Sequence, residues 1–474
     1  MFRLTRVSTL AAALITLVAA APAVARPRYP YTLIDPGTFG GPQSFLELPA
    51  IPLTNQGTLL GQADTRALDS DCPCSDPYIQ HALEWRDGRL IDLGALPGEN
   101  SSAIFEQNDH GVGVGFSENG LTDPFTGNAE QVAVLFDHGK VIPLGALPGG
   151  HESFASDVNN QGQVAGFSSN GVPDPFSFLG WGTETRAFIW QHGDMADLGT
   201  LGGADTVVAL MNERGQITGQ SYTNSTPNAA TGVPTTDPYL WENGHMRDLG
   251  TLGGTFGVPN WMNEHGEVVG QSDITGDQSP HPFLWDGRQM RDLGTLGGDY
   301  GAANWINERG DIVGWATPQG DNTAHALLWK NGTMTDLTGA GSTSCTAAAA
   351  INDSDLIVGH TCAEDDALMW EAGKQYDLNA LIAPSPLHLI DAEYVNDRGE
   401  IVGRGVLPNG DQHIFLLIPN PEVALPLGGA AKADSHQGAF RRMYGGSPKA
   451  TVVLPYEMGR STARDVLLAK DTIR

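Results

Sequence analysis

The chain has 474 residues, of which 55 are acidic and 26 basic, for a formal net charge of −29 at pH 7. Residues 420–474 carry eight Lys or Arg against five Asp or Glu, so residues 26–419 hold a balance of −34. Such a body repels phosphate backbones, which need a basic footprint, and nucleic acid is excluded as a partner. An acidic surface is instead compatible with solubility and with divalent cations, Ca²⁺ among them.

Residues 1–25 read as a secretory signal peptide. Arg3 and Arg6 precede an apolar run from Leu10 to Ala21, and Ala23 and Ala25 are the small residues at −3 and −1 of a cleavage point. The other reading is a retained anchor, against which Pro22 and the small-residue end argue. No later stretch approaches the ~20 apolar residues of a spanning helix. The expectation is a soluble protein, secreted, periplasmic or held at the cell surface.

Residues 26–419 are organised by an internal repeat with three elements in fixed order. D-L-G-T-L-G-G stands at 197–203, 248–254 and 292–298, with looser copies at 35–41, 92–98 and 143–149 and degenerate ones from Asp336 and Asp377. I-N-x-x-G-x-x-x-G places its Asn at Asn108, Asn159, Asn212, Asn263, Asn307, Asn352 and Asn396, with Thr54 in the first copy. A-F-L-W-x-x-G puts an aromatic at Trp85, Phe136, Trp190, Trp241, Trp285, Trp329 and Trp370. Each unit of 44 to 54 residues reads as four short strands with Gly-bearing turns. Almost nothing has a helical period.

The first strand, Tyr31 to Asp35, has no predecessor, and the last, His413 to Pro419, has no partner. Pairing them completes a final sheet and removes two open edges. The predicted fold is therefore all-β, a closed propeller of eight blades whose last blade takes the N-terminal strand. In that order the strand before N-x-x-G is innermost. Its small residues, such as Gly301-Ala302-Ala303 and those at 347–350, suit crowding at the axis, and the repeated Trp residues fill the interfaces between blades.

The spacing from the second Gly of N-x-x-G-x-x-x-G to the aromatic is 21 to 24 residues in the first four units and 11 to 15 in the last four. All the freedom lies in one loop, on the face that also carries D-L-G-T-L-G-G, and loops on a rigid scaffold are where binding resides. The four long loops share Asp-Pro-aromatic: Asp76 and Tyr78, Asp123 and Phe125, Asp174 and Phe176, Asp237 and Tyr239, with Trp181 as a further exposed-looking ring. Carboxylates beside rings suit sugars, and Asp could ligate Ca²⁺. The structural alternative is that Asp-Pro starts a turn and the aromatic tucks the loop down.

Cys345 and Cys362 are symmetric about a hairpin turn at residues 352–355, which predicts a disulfide between adjacent strands. Cys72 and Cys74, one residue apart, read as loop thiols or a labile bridge. No hydrolase, zinc-protease, P-loop or EF-hand motif is present, so no catalytic residue is assigned. Residues 420–474, rich in Gly, Ala and Pro, are expected to be mostly disordered.

With its elements laid out, the repeat resembles the bacterial extracellular HAF repeat, named for a His-Ala-Phe element that appears here as His81-Ala82-Leu83, Arg186-Ala187-Phe188, His281-Pro282-Phe283 and His325-Ala326-Leu327. The resemblance covers about residues 31–419 and implies a secreted or surface protein, with no activity to carry over. Three functions follow as expectations: an exported, monomeric binding module for a glycan or surface protein, a secreted carbohydrate-active hydrolase or lyase, or a structural and adhesive repeat. Binding leads.

Overall fold

A computed structural model describes residues 29–426, apart from 47–50, 70–76, 99, 230–231, 278, 321–322 and 363–365. The expected signal peptide, Cys72, Cys74, Asp76 and the tail beyond 426 lie outside the described residues. Regular structure within them is β, save one 3₁₀ turn at Leu378–Leu381.

Each repeat unit folds as an antiparallel meander. In the second unit the strands Ser102–Gln107, Gly113–Thr122, Ala129–Asp137 and Lys140–Gly145 pair in chain order. Among the described residues six four-stranded sheets stand apart, and the meanders of units 4 and 5 are joined into one eight-stranded sheet by a single parallel pairing, Thr236 with Phe256. Unit 8 consists of His388–Val395, Ile401–Val406 and Gln412–Pro419, and its fourth strand is Tyr31–Ile34, with Tyr31 opposite Pro419 and Ile34 opposite Leu416. The two ends of the repeat region thus share a sheet.

The repeated letters each have a structural duty. In N-x-x-G the Asn side chain closes its own turn and reaches the next unit. Asn263 Oδ1 accepts from His265 N and Glu267 N, while its Nδ2 donates to Asn307 O. The same step runs from Asn212 to Asn263, Asn307 to Asn352, Asn352 to Asn396, and from Asn396 to Thr54 O, at 2.9 to 3.3 Å. That last bond joins unit 8 to unit 1.

In D-L-G-T-L-G-G the Asp caps the Gly two residues on, as Asp248 Oδ1 does for Gly250 N at 2.7 Å. The Thr hydroxyl closes the next turn, and the following Leu N donates to a Ser of the second strand, as Leu252 does to Ser272 Oγ at 2.9 Å. The departure at Asp377-Leu378-Asn379 has its own solution. Asp377 caps the 3₁₀ turn through Asn379 N, and the Asn379 amide brackets Leu389 at both its N and its O.

Sheets pack face to face through apolar clusters that span neighbours. One joins Leu60 and Ala82 to Ile104, Val134 and Phe136, another joins Val313 and Ala326 to Ala348, Leu368 and Trp370. The cluster of Leu53, Leu59, Val402, Ile414 and Leu416 packs unit 8 against unit 1. The recurring Trp residues sit in or beside these clusters; Trp285 and Trp370 are buried. Cys345 and Cys362 are disulfide-bonded with Cα atoms 5.2 Å apart, and Cys362 N donates to Cys345 O.

Small residues of neighbouring innermost strands do meet: Ala302 of unit 6 and Ala347 of unit 7 share one buried cluster, while Trp261, Trp305 and Tyr394 line the cavity among the N-x-x-G turns. A β-bulge interrupts the innermost strand of units 2 to 8 just before the Asn, and in units 2, 4, 5, 6 and 8 the residue two before the Asn lines that cavity.

Candidate functional site

Two places stand out: a rim of long hairpins, and a cavity among the N-x-x-G turns lined by residues of all eight units. The second strands of units 1 to 4 run 10 or 11 residues, against 5 to 7 in units 5 to 8. Their outermost pairings, Leu68 with Tyr78, Thr122 with Ala129, Pro173 with Thr183 and Pro227 with Pro234, carry the hairpins past the sheets. Leu68, Leu121, Phe125 and Val172 are exposed there.

The Asp-Pro-aromatic residues do not form one set. Asp123 Oδ1 accepts from Phe125 N and Thr126 N, both at 2.7 Å, and Asp174 Oδ1 accepts from Phe176 N at 3.0 Å, so both start turns. Phe125 is left 48% exposed, its ring 6.1 Å from that of His151. Trp181, expected on the surface, is only 9% exposed; its loop folds inward and stacks it on Phe154 at 5.9 Å. Tyr222 Oη fixes that loop by donating to Phe176 O. Tyr78 is half-buried at the start of a strand.

Asp237 and Tyr239 correct the reading further. They lie inside the strand Pro234–Glu242, with Asp237 facing Ser221 across the pair. Tyr239 is fully buried and donates to Val207 O, in the place that Phe188 and Phe283 fill in units 3 and 5. Counted from Trp241, Asp237 holds the position of the His in His-Ala-Phe.

That position is a staple. His81 Nδ1 bonds Asp92 at 2.9 Å, His281 bonds Asp292 at 2.9 Å, His325 bonds Asp336 at 3.0 Å, and His413 bonds Asp35 at 2.9 Å. Arg186 pairs with Asp197 at 3.1 Å. Each ties the third strand of a sheet to its fourth. In unit 4 the same geometry sets Asp237 against Asp248, and burial and then the Asp248 carboxylate push Asp237 up to about 7.

The unfolded chain releases that proton at the ordinary 3.8, so the folded state binds the extra proton between about 4 and 7. Stability from the pair is present at low pH and is lost as pH rises through that window. Asp237→His should restore the staple of the other units. We expect a gain of about 1 kcal/mol at pH 7 that shrinks toward pH 4, read by urea unfolding at several pH values. An unchanged or lower midpoint at pH 7 would refute the staple.

Between units 2 and 3 the rim is acidic. Glu152 accepts from Gln131 N at 3.0 Å, and burial, with Asp123, Glu130 and Glu118 nearby, pushes it up to about 8. Glu130 accepts from Asn119 Nδ2 at 2.7 Å and lies 3.1 Å from His151 Nδ1. Asp205, in the equivalent place of unit 4, accepts from Thr185 N and Phe178 N, and burial holds it well above the usual range. Both acids cap the free edge of the preceding sheet's third strand. Among the described residues no group of three or more His, Cys, Asp or Glu is arranged to hold a metal ion.

The axial cavity, about 320 Å³, opens among the N-x-x-G turns and takes lining residues from every unit, from Asn55 in the first to Asp397 in the eighth. A collar surrounds it: Asp109 N donates to Asn160, Asn160 N to Glu213, Glu213 N to Glu264, Glu264 N to Glu308, Glu308 N to Asp353, Asp353 N to Asp397 and Asp397 N to Asn55, side chain to backbone each time. Sequence reading passed over this site, although each collar residue directly follows the repeated Asn position.

No protein-family model matches the chain, and no curated protein matches it in sequence. Solved structures similar to it are β-propeller proteins. The β-propeller domain of the Trilobed protease from Pyrococcus furiosus is 9% identical over 72% of this chain and 97% of its own, with a TM-score of 0.36. Dipeptidyl peptidase 4 of Porphyromonas gingivalis is 11% identical over 78% of this chain and 58% of its own, with a TM-score of 0.46. An ulvan lyase is 11% identical over 69% and 92%, with a TM-score of 0.34. The likeness is one of fold alone.

Proposed function

We propose that the repeat region is a closed eight-bladed propeller which, once exported, acts as a non-enzymatic binding module for a glycan at the cell surface. Closure is supported by the bond from Asn396 to Thr54, by the cluster shared between units 8 and 1, and by one cavity lined from all eight units. The observation that carries the binding reading is the distribution of exposed apolar side chains. Among the described residues six large ones are strongly exposed, and four of them, Leu68, Leu121, Phe125 and Val172, stand on adjacent long hairpins. Exposed apolar groups gathered on one rim mark an interaction surface. Phe125 offers a face for a sugar ring, and Glu130 and His151 beside it offer hydrogen-bonding groups.

The test is a glycan-array screen of residues 26–419, with and without calcium, followed by the double variant Leu121→Ser, Phe125→Ala. Affinity for any hit should fall about tenfold or more with melting unchanged, as for loss of a central anchor. A hit that the double variant binds equally well places recognition elsewhere. Shortened glycan products in the same incubations would favour the hydrolase or lyase.

A further inference from the structure

We infer that the axial cavity is a binding site for a small organic cation of the quaternary-ammonium type, separate from the rim. One wall is aromatic. Trp261 and Trp305 stack with ring centroids 3.4 Å apart, and Trp305 meets Tyr394 edge-on at 5.3 Å. All three line the cavity. Glu106 also lines it, from unit 2, and its charge is felt by Tyr394 of unit 8.

Glu106 does not stand alone. Asp157, 3% exposed, lies against it from the innermost strand of unit 3. Asp157 accepts from Met211 N and meets the Glu106 carboxyl, and its Oδ2 has no hydrogen-bond donor. Burial and the neighbouring Asp157 carboxylate raise Glu106, and burial raises Asp157, so one proton shared between the two is favoured over two charges. None of the lining residues is Lys, Arg or His, while Glu213, Glu264, Glu308, Asp353 and Asp397 line the same cavity.

The arrangement selects its ligand by exclusion. A neutral ligand would gain nothing from the acid pair, which would keep its shared proton, and anions would be repelled by the collar. A hard metal ion finds no suitable ligand cluster among the described residues, and the collar carboxylates already accept backbone N–H groups. A cation with methyl or methylene groups meets both demands. Its apolar shell lies on the Trp and Tyr faces through cation–π attraction, and its charge replaces the proton shared by Glu106 and Asp157. At about 320 Å³ the space is at the small end of ligand pockets. A choline-sized molecule suits it. A sugar chain does not.

The experiment is a titration of residues 26–419 with choline, followed by tryptophan fluorescence and by calorimetry in two buffers of different ionisation heat. The control is 3,3-dimethyl-1-butanol, which has choline's shape without its charge. Choline should give a saturable fluorescence change with proton release, and the neutral analogue should bind at least about tenfold more weakly. Glu106→Gln keeps the side chain's shape and should weaken choline about tenfold while abolishing proton release. Trp305→Leu should remove most of the fluorescence response.

Equal binding of the neutral analogue, or no saturation by choline at about 10 mM, would overturn the inference. So would an unaltered choline affinity in Glu106→Gln. The rim variant Leu121→Ser, Phe125→Ala should bind choline normally, so failure at the rim and failure at the axis can be told apart.

Discussion

Removing residues 29–35 should unfold or aggregate the protein although nearly all of its repeat remains. The strand Tyr31–Ile34 supplies the whole outer edge of unit 8. Tyr31 is buried in the cluster with Met369, Leu389 and Phe415, and its hydroxyl reaches Met369 Sδ at 3.4 Å. Asp35 staples His413, and Asn420 closes over the strand by donating from its N to Pro30 O and from Nδ2 to Tyr29 O.

Losing one large buried side chain, a row of strand hydrogen bonds and a staple amounts to about 4 kcal/mol or more. It also leaves Gln412–Pro419 with an unpaired edge, the usual template for aggregation. We expect a fall of about 10 °C or more in the thermal midpoint and a concentration-dependent loss of soluble protein. Tyr31→Ala alone should lower stability by about 3 kcal/mol without aggregation, because the edge stays covered. A truncated protein that melts like the full chain would mean that the ring is not completed by this strand.

Much of this architecture was legible because each repeat letter answers a local demand. Asp248, Thr251 and Asn263 each close a turn with their own side chains, so their spacing survives in the sequence whatever the surroundings. The pairing of the chain ends was legible for a similar reason, since an unpaired strand at each end has one economical remedy.

The site was read less well, and the failures are physical. Asp237-Pro238-Tyr239 repeats the letters of Asp123-Pro124-Phe125, but one lies in a strand and the other in a turn. Only counting four residues back from Trp241 reveals the shared position with His81 and His281. Trp181 was misplaced because its burial depends on Phe154 and Phe167, which its loop meets only in the folded protein. The axial wall was missed for a subtler cause. Alternation along a strand predicts which residues share a face, but in units 2 to 8 the bulge adds one residue to the innermost strand and shifts that alternation just before the Asn.

The bulge also explains the motif's second glycine, and Gly314→Ala is expected to be among the most damaging single substitutions in the chain. A Cβ at Gly314 would lie 2.1 Å from Ala302 O and 3.0 Å from the Cα of Ala303, both backbone atoms of the innermost strand. Its counterparts behave alike: Gly219 faces Val207 O at 1.9 Å, Gly270 faces Val258 O at 2.0 Å and Gly359 faces Ala347 O at 2.1 Å. A backbone oxygen cannot move aside as a flexible side chain can, so the two strands must separate or the bulge must flatten.

The first glycine of the same motif makes a different demand. Gly310 has φ +78° with only Glu267 Oε2 near its Cβ direction, at 3.7 Å, so it needs a left-handed backbone and nothing more. Unit 7 shows that this demand can be met otherwise, because Asp355 occupies that position at φ 66° and accepts from Lys330 Nζ. No unit replaces the second glycine. Gly310→Ala should therefore cost about 1 kcal/mol, and Gly314→Ala about 3 kcal/mol or more with a fall of about 5 °C or more in the thermal midpoint. Urea unfolding of the two variants side by side decides the matter. Equal losses at the two positions would mean that both glycines serve only φ, and that the close approach of the two strands imposes no constraint of its own.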